Sequence, residues 1–234
     1  MQASIRDRVD RVLASAAPDT PRAAEAPPGP VSSPRAAEAL ARWIALIVEW
    51  NARIDLTAAR GEDELVDLMV ADALVLATQL PAGRRVVDVG SGAGAPGLPL
   101  AILRPDLAVT LIEPLQKRAS FLRTAIGALI QAGAFPAAAP RLERGRGEEI
   151  ARRGPALLPF DAAISRATLA PEAWLALGAE LTAGSDAPEV WVLLAREAPP
   201  ERPGWVAAAD LRYRWPLTGA ERRAVRHAPH PAAK

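Results

Sequence analysis

The sequence contains no cysteine, and its two histidines, His227 and His230, both stand near the C-terminal end. The first absence removes thiol nucleophiles, disulfides and thiolate-ligated metals. The second leaves imidazole general-base chemistry without a candidate unless the Pro/Ala-rich segment "RHAPHPAAK" folds back on the body, and no metal site is expected. Lysine occurs only at Lys117 and Lys234, so the positive charge is almost entirely arginine, and a net charge of +1 carries no nucleic-acid signal by itself. The longest stretch without charge, between Arg123 and Arg141, is interrupted by Gly127, Gln131, Gly133, Pro136 and Pro140 and does not read as a membrane span. The opening "MQASIRDRVDRVLASAAP" mixes acids, bases and aliphatics without an apolar core, unlike a signal peptide, so a cytoplasmic protein is expected.

What is present is enough for one sizeable core: 234 residues, half of them apolar, with mean hydropathy +0.06. Charge is uneven along the chain. Bases outnumber acids between Arg104 and Arg153 and again from Glu201 onward, whereas "GEDELVDLMVAD" carries acids alone. A short amphipathic helix is expected over Ile5 to Ser15, then a Pro/Ala-rich linker over Ala16 to Pro34. Leu40, Trp43, Ile44, Ile47 and Trp50 keep helical spacing, and Thr57 is a candidate cap for a further helix running to Leu80. From Arg84 the pattern alternates. Strand-like "RVVDV", "AVTLIE", "RLERG", "FDAAIS" and "EVWVLLA" are separated by helix-like runs over Leu98 to Leu103, Gln116 to Gln131, Gly147 to Arg152 and Pro171 to Leu181. Such alternation predicts an α/β fold with a mainly parallel sheet covered on both faces. A C-terminal antiparallel hairpin is expected around Thr218 and Gly219. The chain thus divides into residues 1–34 (helix and linker), 35–82 (helical extension), 83–228 (catalytic domain) and 229–234 (tail).

The first strand leads into "GSGAGAPG", and a helix follows. Glycines in a strand-to-helix turn permit positive φ and hold no Cβ between backbone and ligand, while the helix start offers free N–H groups. A P-loop would end in Gly-Lys-Ser/Thr, and this turn ends in Ala-Pro-Gly, so that reading fails. Gly92, Gly94 and Gly97 can be fitted to a dinucleotide fingerprint, which stays open. An acid followed by alternating glycines (Asp88, Gly90, Gly92, Gly94) is similar instead to the first motif of Rossmann-type S-adenosylmethionine-dependent methyltransferases. Pro96 favours this second reading because it removes an N–H that a pyrophosphate would use. Glu113 ends the next strand about 20 residues on, where an acid binds ribose hydroxyls in either family.

With "DVGSGAGAPGLPLAILRPD" joined to "TLIEPLQKRASFLR", and with "WNARIDLTAAR", "RGRGEEI" and "FDAAISRA" in order, the chain resembles the bacterial small-subunit ribosomal RNA guanine-N7 methyltransferase family. That family is called RsmG, or glucose-inhibited division protein B. The likeness runs from about Trp43 to Arg226. It implies a Rossmann-like class I methyltransferase fold, S-adenosyl-L-methionine as cofactor, and small-subunit (16S) ribosomal RNA or the assembling small subunit as partner. A monomer is expected separately, from the absence of an obvious sticky helix. By the resemblance, Asp88, Gly90, Gly92, Gly94, Ala95 and Glu113 hold the methionine and ribose parts, Gly147 and Glu148 flank the adenine, and Arg166 stands at the mouth of the pocket. Asp72 and Arg166 are the candidates near the transfer site. Lys117, Arg118, Arg123 and Arg196 are candidate RNA contacts, which would position phosphates without reading sequence. On the helix after Glu113, Ala119, Leu122, Ile126, Leu129 and Ile130 form the expected buried stripe.

The chain departs from the family pattern at several places. Leu68 and Met69 stand where Arg-His is usual, Ala73 replaces a serine after the matching Asp72, and Arg196-Glu197 replaces Lys-Gly. Asp55 takes the place of an asparagine. Guanine N7 needs no deprotonation before it attacks a methyl group, so the scarcity of histidine does not oppose the chemistry. Cytosine-C5 methylation would need a cysteine, and the Asp/Asn-Pro-Pro-aromatic tetrapeptide of amino-group methyltransferases is missing. A small-molecule methyltransferase on the same fold, or a catalytically weak cofactor-binding paralogue, remain the alternatives.

Overall fold

The computed structural model describes residues 4–15, 33–153, 159–166 and 168–230, so nearly all of the expected linker and the last four residues of the tail lie outside it. Helices α1 (Ile5–Ala14), α2 (Pro34–Asn51) and α3 (Glu62–Ala77) come first. Strands β1 (Arg85–Val89), β2 (Ala108–Ile112), β3 (Arg141–Glu143), β4 (Ala162–Ser165) and β5 (Glu189–Leu194) then alternate with α4 (Gly97–Leu103), α5 (Gln116–Gln131), α6 (Gly147–Arg152) and α7 (Pro171–Leu181). Strands β6 (Trp205–Arg214) and β7 (Glu221–Pro229) close the chain. The sheet order is β3-β2-β1-β4-β5-β7-β6. The first five strands run parallel, β7 inserts antiparallel beside β5, and β6 pairs antiparallel on its outer side. The chain leaves β1 in one direction for β2 and β3 and returns on the other side at β4. That switch point opens a crevice at the carboxyl ends of β1 and β4, where such sheets bind ligands.

Both faces are covered, as the aliphatic strands require. On one, Val86, Val109, Leu111, Ile164 and Trp191 pack beneath α1 to α5. On the other, Val87, Val89, Ala163, Val190 and Val192 meet α6 and α7. Helix α1 belongs to the first core, for Val9 and Val12 are fully buried and Arg8 pairs with Glu62 and Asp63 at the start of α3. Ser33 caps α2 through its hydroxyl, which accepts from the Ala36 N–H at 3.1 Å.

Three local expectations need correction. Helix α3 begins after Gly61 rather than at Thr57, and it ends at Ala77 rather than Leu80. The Thr57 hydroxyl accepts instead from the Ala59 N–H, closing a turn within the connecting loop. Three acids, Glu62, Asp63 and Glu64, stabilise the helix start through the dipole in place of a side-chain cap. Ile130 is 53% exposed although Leu129 is fully buried: Phe121 and Ala125 join the buried stripe and move its centre round the helix, leaving Ile130 outside it. Strand β7 runs to Pro229, so His227 lies within the sheet; it is buried, and its Nε2 donates to the Pro200 carbonyl at 3.0 Å.

Two buried polar groups tie the helical extension to the rest. Arg104 follows α4, is fully buried, and donates to the Ala77 carbonyl at the end of α3 and to the Leu80 carbonyl just beyond it, while pairing with Asp106. Asp67, fully buried on α3, accepts from the Leu217 and Thr218 N–H groups and the Thr218 hydroxyl in the β6–β7 turn.

Candidate active site

The glycine turn follows β1 and is braced from two sides. The Trp43 indole on α2 donates to the Ala93 carbonyl at 3.0 Å, and the Ser91 hydroxyl donates to the Asp88 carbonyl. The glycines serve different ends. A Cβ on Gly97 would sit 2.4 Å from Leu111 and 2.7 Å from Asp88 Oδ2, so this glycine lets α4 approach the sheet. A Cβ on Gly90 would collide with Thr168, whose hydroxyl donates to the Val89 carbonyl. At Gly92, with φ +56°, a Cβ would meet nothing nearer than the Gly90 carbonyl at 3.9 Å. Its bare backbone therefore faces open space.

That space is a cleft of about 430 Å³ lined by Gly90 to Ala93, Ala95, Glu113 to Leu115, Leu56 to Ala58, Leu68, Met69, Arg118, Arg166 and Thr168. Glu113 spans its floor. One carboxylate oxygen accepts from the Gly92 N–H at 2.8 Å and the other from Leu115 N–H at 2.8 Å. Each oxygen keeps acceptor capacity for a further donor, such as a ribose hydroxyl. The wall opposite comes from the loop after α2, which Asn51 shapes by accepting from the Leu56 and Thr57 N–H groups. Arg118 fastens that wall by donating to the Asp55 carbonyl.

The other expected cofactor residues are placed differently. Asp88 is buried behind the turn, where Oδ2 accepts from Gly97 N–H at 3.1 Å and Oδ1 has no partner among the described residues. Burial raises its pKa to about 7; the Glu113 charge pushes the same way, and Ser91, the Gly97 N–H and Arg166 oppose it. Gly147 is packed against Leu177 and Val89, and neither it nor Glu148 lines the cleft. Lys117 and Arg123 stay on the exposed side of α5, away from it.

Arg166, just past β4, stands between the cleft and a second cavity of about 300 Å³. Its guanidinium donates to the Leu68 carbonyl and, at 3.2 Å, to Asp72. Asp72 is buried and also accepts from the Tyr213 hydroxyl at 2.8 Å and the Trp215 indole at 2.9 Å. Burial, then the Asp72 charge, raises the Tyr213 pKa well above its ordinary value, so this hydroxyl remains a donor. Three donors from two distant segments thus converge on one carboxylate of α3. The hairpin adds a third hollow lined by Arg196, Arg212, Arg214, Arg222 and Arg223. Of these only Arg196 was singled out from sequence; the excess of bases after Glu201 was the signal for the rest.

Known proteins place these features. The family model for rRNA small subunit methyltransferase G matches residues 36–177. Ribosomal RNA small subunit methyltransferase G of Methylobacillus flagellatus is 42% identical over 130 residues, 56% of this chain and 58% of that protein. The protein of the same name from Moorella thermoacetica is 35% identical over 164 residues, 69% of this chain and 62% of its own length. The chain spans roughly half the length of the curated relatives it matches. Among solved structures, the O-methyltransferase TomG from Streptomyces achromogenes superimposes with a TM-score of 0.52 at 19% identity, over 82% of this chain and 90% of that one. That likeness supports the Rossmann-like class I methyltransferase fold. With the family match spanning the helical extension, the glycine turn and the Arg166 loop, the chain belongs to the rRNA small subunit methyltransferase G family.

Proposed function

We propose that the chain transfers a methyl group from S-adenosyl-L-methionine to N7 of a guanine in small-subunit ribosomal RNA, acting as a cytoplasmic monomer. The observation that carries this is the open backbone at Gly92 beside the Glu113 carboxylate, a cradle that none of the described residues fills. The donor and acceptor set fits the cofactor. Glu113 suits a ribose diol, the turn backbone suits the amino-acid part, and the apolar edges of Pro114 and Leu115 at the rim suit a flat heterocycle. Bound there, the cofactor would supply an electrophilic methyl group.

The protein's own task is then positional. Leu68 and Met69 give the cleft an apolar wall that keeps water from the reacting atoms. Arg166, fixed by Leu68 and Asp72, stands where the cleft meets the second cavity. No side chain has to accept a proton, because guanine N7 presents a lone pair at neutral pH. Asp72, consumed by three donors, orients Arg166 rather than serving as a base. The hairpin arginines favour RNA over a small molecule, since Arg196 and Arg212 form no ion pair among the described residues. Monomer status is supported by the scattering of the large exposed apolar residues Val48, Leu115, Ile130 and Leu169 along the described chain. No helix among the described residues is long and apolar enough to cross a membrane.

Two measurements test the proposal. Mass spectrometry of small-subunit RNA from a deletion strain should show loss of 7-methylguanosine, restored by the wild-type gene. Calorimetry on Gly92→Arg should show S-adenosylmethionine binding weakened at least about 100-fold, because the new side chain enters the cleft. Unchanged binding would remove the cofactor assignment.

A further inference from the structure

The second cavity lies between the ends of β4 and β5 and the β6–β7 hairpin, and nothing described so far occupies it. Its lining is chemically divided. Leu68, Leu169, Pro171, Trp174, Val192 and Leu194 are apolar, while Arg166, Glu197, Tyr213 and Arg222 are polar. We propose that this cavity takes the target guanine base, with the Glu197 carboxylate reading its Watson–Crick edge and the Arg222 guanidinium stacking on its face. The assignment rests on the guanine-methyltransferase reading given above and specifies which residues select the base.

Stacking comes from the hairpin. The Arg222 guanidinium carbon lies over the Trp215 ring, 3.7 Å from its centroid, and that indole is itself buried and bonded to Asp72. A guanidinium fixed in this way presents its second face to the cavity, and such planes are platforms for unstacked bases. A volume of about 300 Å³ is at the lower end for small-molecule sites and leaves room for one nucleobase.

Selectivity comes from Glu197. Its Oε2 accepts from the Ala195 and Arg196 N–H groups at 2.8 and 2.9 Å, which fixes the carboxylate at the cavity wall. Those backbone donors, with its own N–H and the nearby Arg222, hold its pKa below the ordinary carboxylate value. It is therefore an acceptor only, and with the Ala195 and Arg196 bonds both on Oε2, Oε1 keeps acceptor capacity for a ligand. Guanine offers two adjacent donors on its Watson–Crick edge, N1–H and the 2-amino group. Adenine offers an acceptor at N1 and would face the carboxylate with like polarity. The orientation agrees with the chemistry. Arg166 lines both cavities, whereas Glu197 lies on the hairpin side and also borders the arginine hollow. A guanine with N1–H and its 2-amino group on Glu197 leaves N7, on the separate Hoogsteen edge of its imidazole ring, free to face Arg166 and the methyl donor.

The test uses the full-length protein saturated with S-adenosylhomocysteine and titrated with guanosine, inosine or adenosine monophosphate, followed by saturation-transfer NMR. Wild type should bind the guanosine nucleotide at least about tenfold more tightly than the adenosine one, with inosine between, since inosine lacks the 2-amino donor. Glu197→Gln should reduce that preference to about twofold or less without changing cofactor affinity or melting temperature. Arg222→Lys should weaken all three nucleotides by the same factor. Equal binding of the three by wild type, no binding of the guanosine nucleotide, or an unchanged preference in Glu197→Gln would each overturn the assignment. Failure of the parent reading is separately visible, as retained 7-methylguanosine in the deletion strain.

Discussion

Asp88 shows how little a linear pattern says about the direction in which one side chain points. An acid ahead of alternating glycines suggested a ligand contact, yet the side chain points inward and holds the N–H of Gly97. What decides its direction is the missing Cβ at Gly97, which brings α4 close enough for that bond, and no linear pattern states this. The burial has a consequence for stability. The folded pKa of about 7 lies above the unfolded value of 3.8. As pH rises from about 4 to 7 the unfolded chain gives up this proton while the native state keeps it, so stability falls over that window and levels above it. The full penalty is at most about 4 kcal/mol. Asp88→Asn retains an acceptor for Gly97 and removes the charge. Urea midpoints at pH 5 and pH 8 should therefore differ less in this variant than in wild type. An equal loss in both would mean that Asp88 ionises without cost. Glu113, in contrast, was legible from its place at a strand end, because a parallel strand delivers its last side chain to the crevice wherever the following helix goes.

Among the elements, the parallel strands announced themselves as short aliphatic runs, since strands buried on both faces cannot alternate with polar residues. Helix α3 was harder. It is buried almost all round, from Leu65 to Ala77, so it lacks the polar stripe that marks an edge, and its start was sought at the nearest capping residue, Thr57. Its buried acids make sense only once the hairpin lies beside it. Asp67 is a staple for the β6–β7 turn: burial raises its pKa, and the Thr218 hydroxyl and the Thr218 and Leu217 N–H groups oppose that shift. Asp67→Ala removes one acceptor and leaves two backbone N–H groups without it, a cost of about 2–4 kcal/mol. Hydrogen exchange should show early opening at residues 215–220, with protection across β1 to β5 retained. A loss spread evenly over the sheet would contradict the staple.

At the scale of the molecule, the first cleft was legible because its chief residues come from two consecutive strand ends. The second cavity was not. Leu68, Arg166, Leu194, Tyr213 and Arg222 reach it from five segments, and only the antiparallel insertion of β7 beside β5 brings them together. The resemblance identified positions, such as Arg196 and Glu197, without saying that they face a hollow. Charge behaves likewise: a net charge of +1 conceals an arginine surface on one edge of the sheet. Binding to small-subunit RNA should fall steeply with salt, and Arg212→Ala should lower the slope of log K against log salt by about 0.7 if it meets one single-stranded phosphate. An identical slope in both proteins would place the RNA elsewhere.

The staple between Asp67 and Thr218 joins residues 151 positions apart. During synthesis the chain emerges from its N-terminus, and strands β1 to β5 can pair before residues 205–229 exist. Until that segment arrives, Asp67 and Asp72 have no hydroxyl, indole or turn amide from the hairpin to bind, and the edge of β5 is unpaired. The nascent protein therefore passes through a stage with two acids and a strand edge awaiting cover, a stage at which an aggregation-suppressing chaperone would find its substrate. The second cavity has no far wall until that segment is in place.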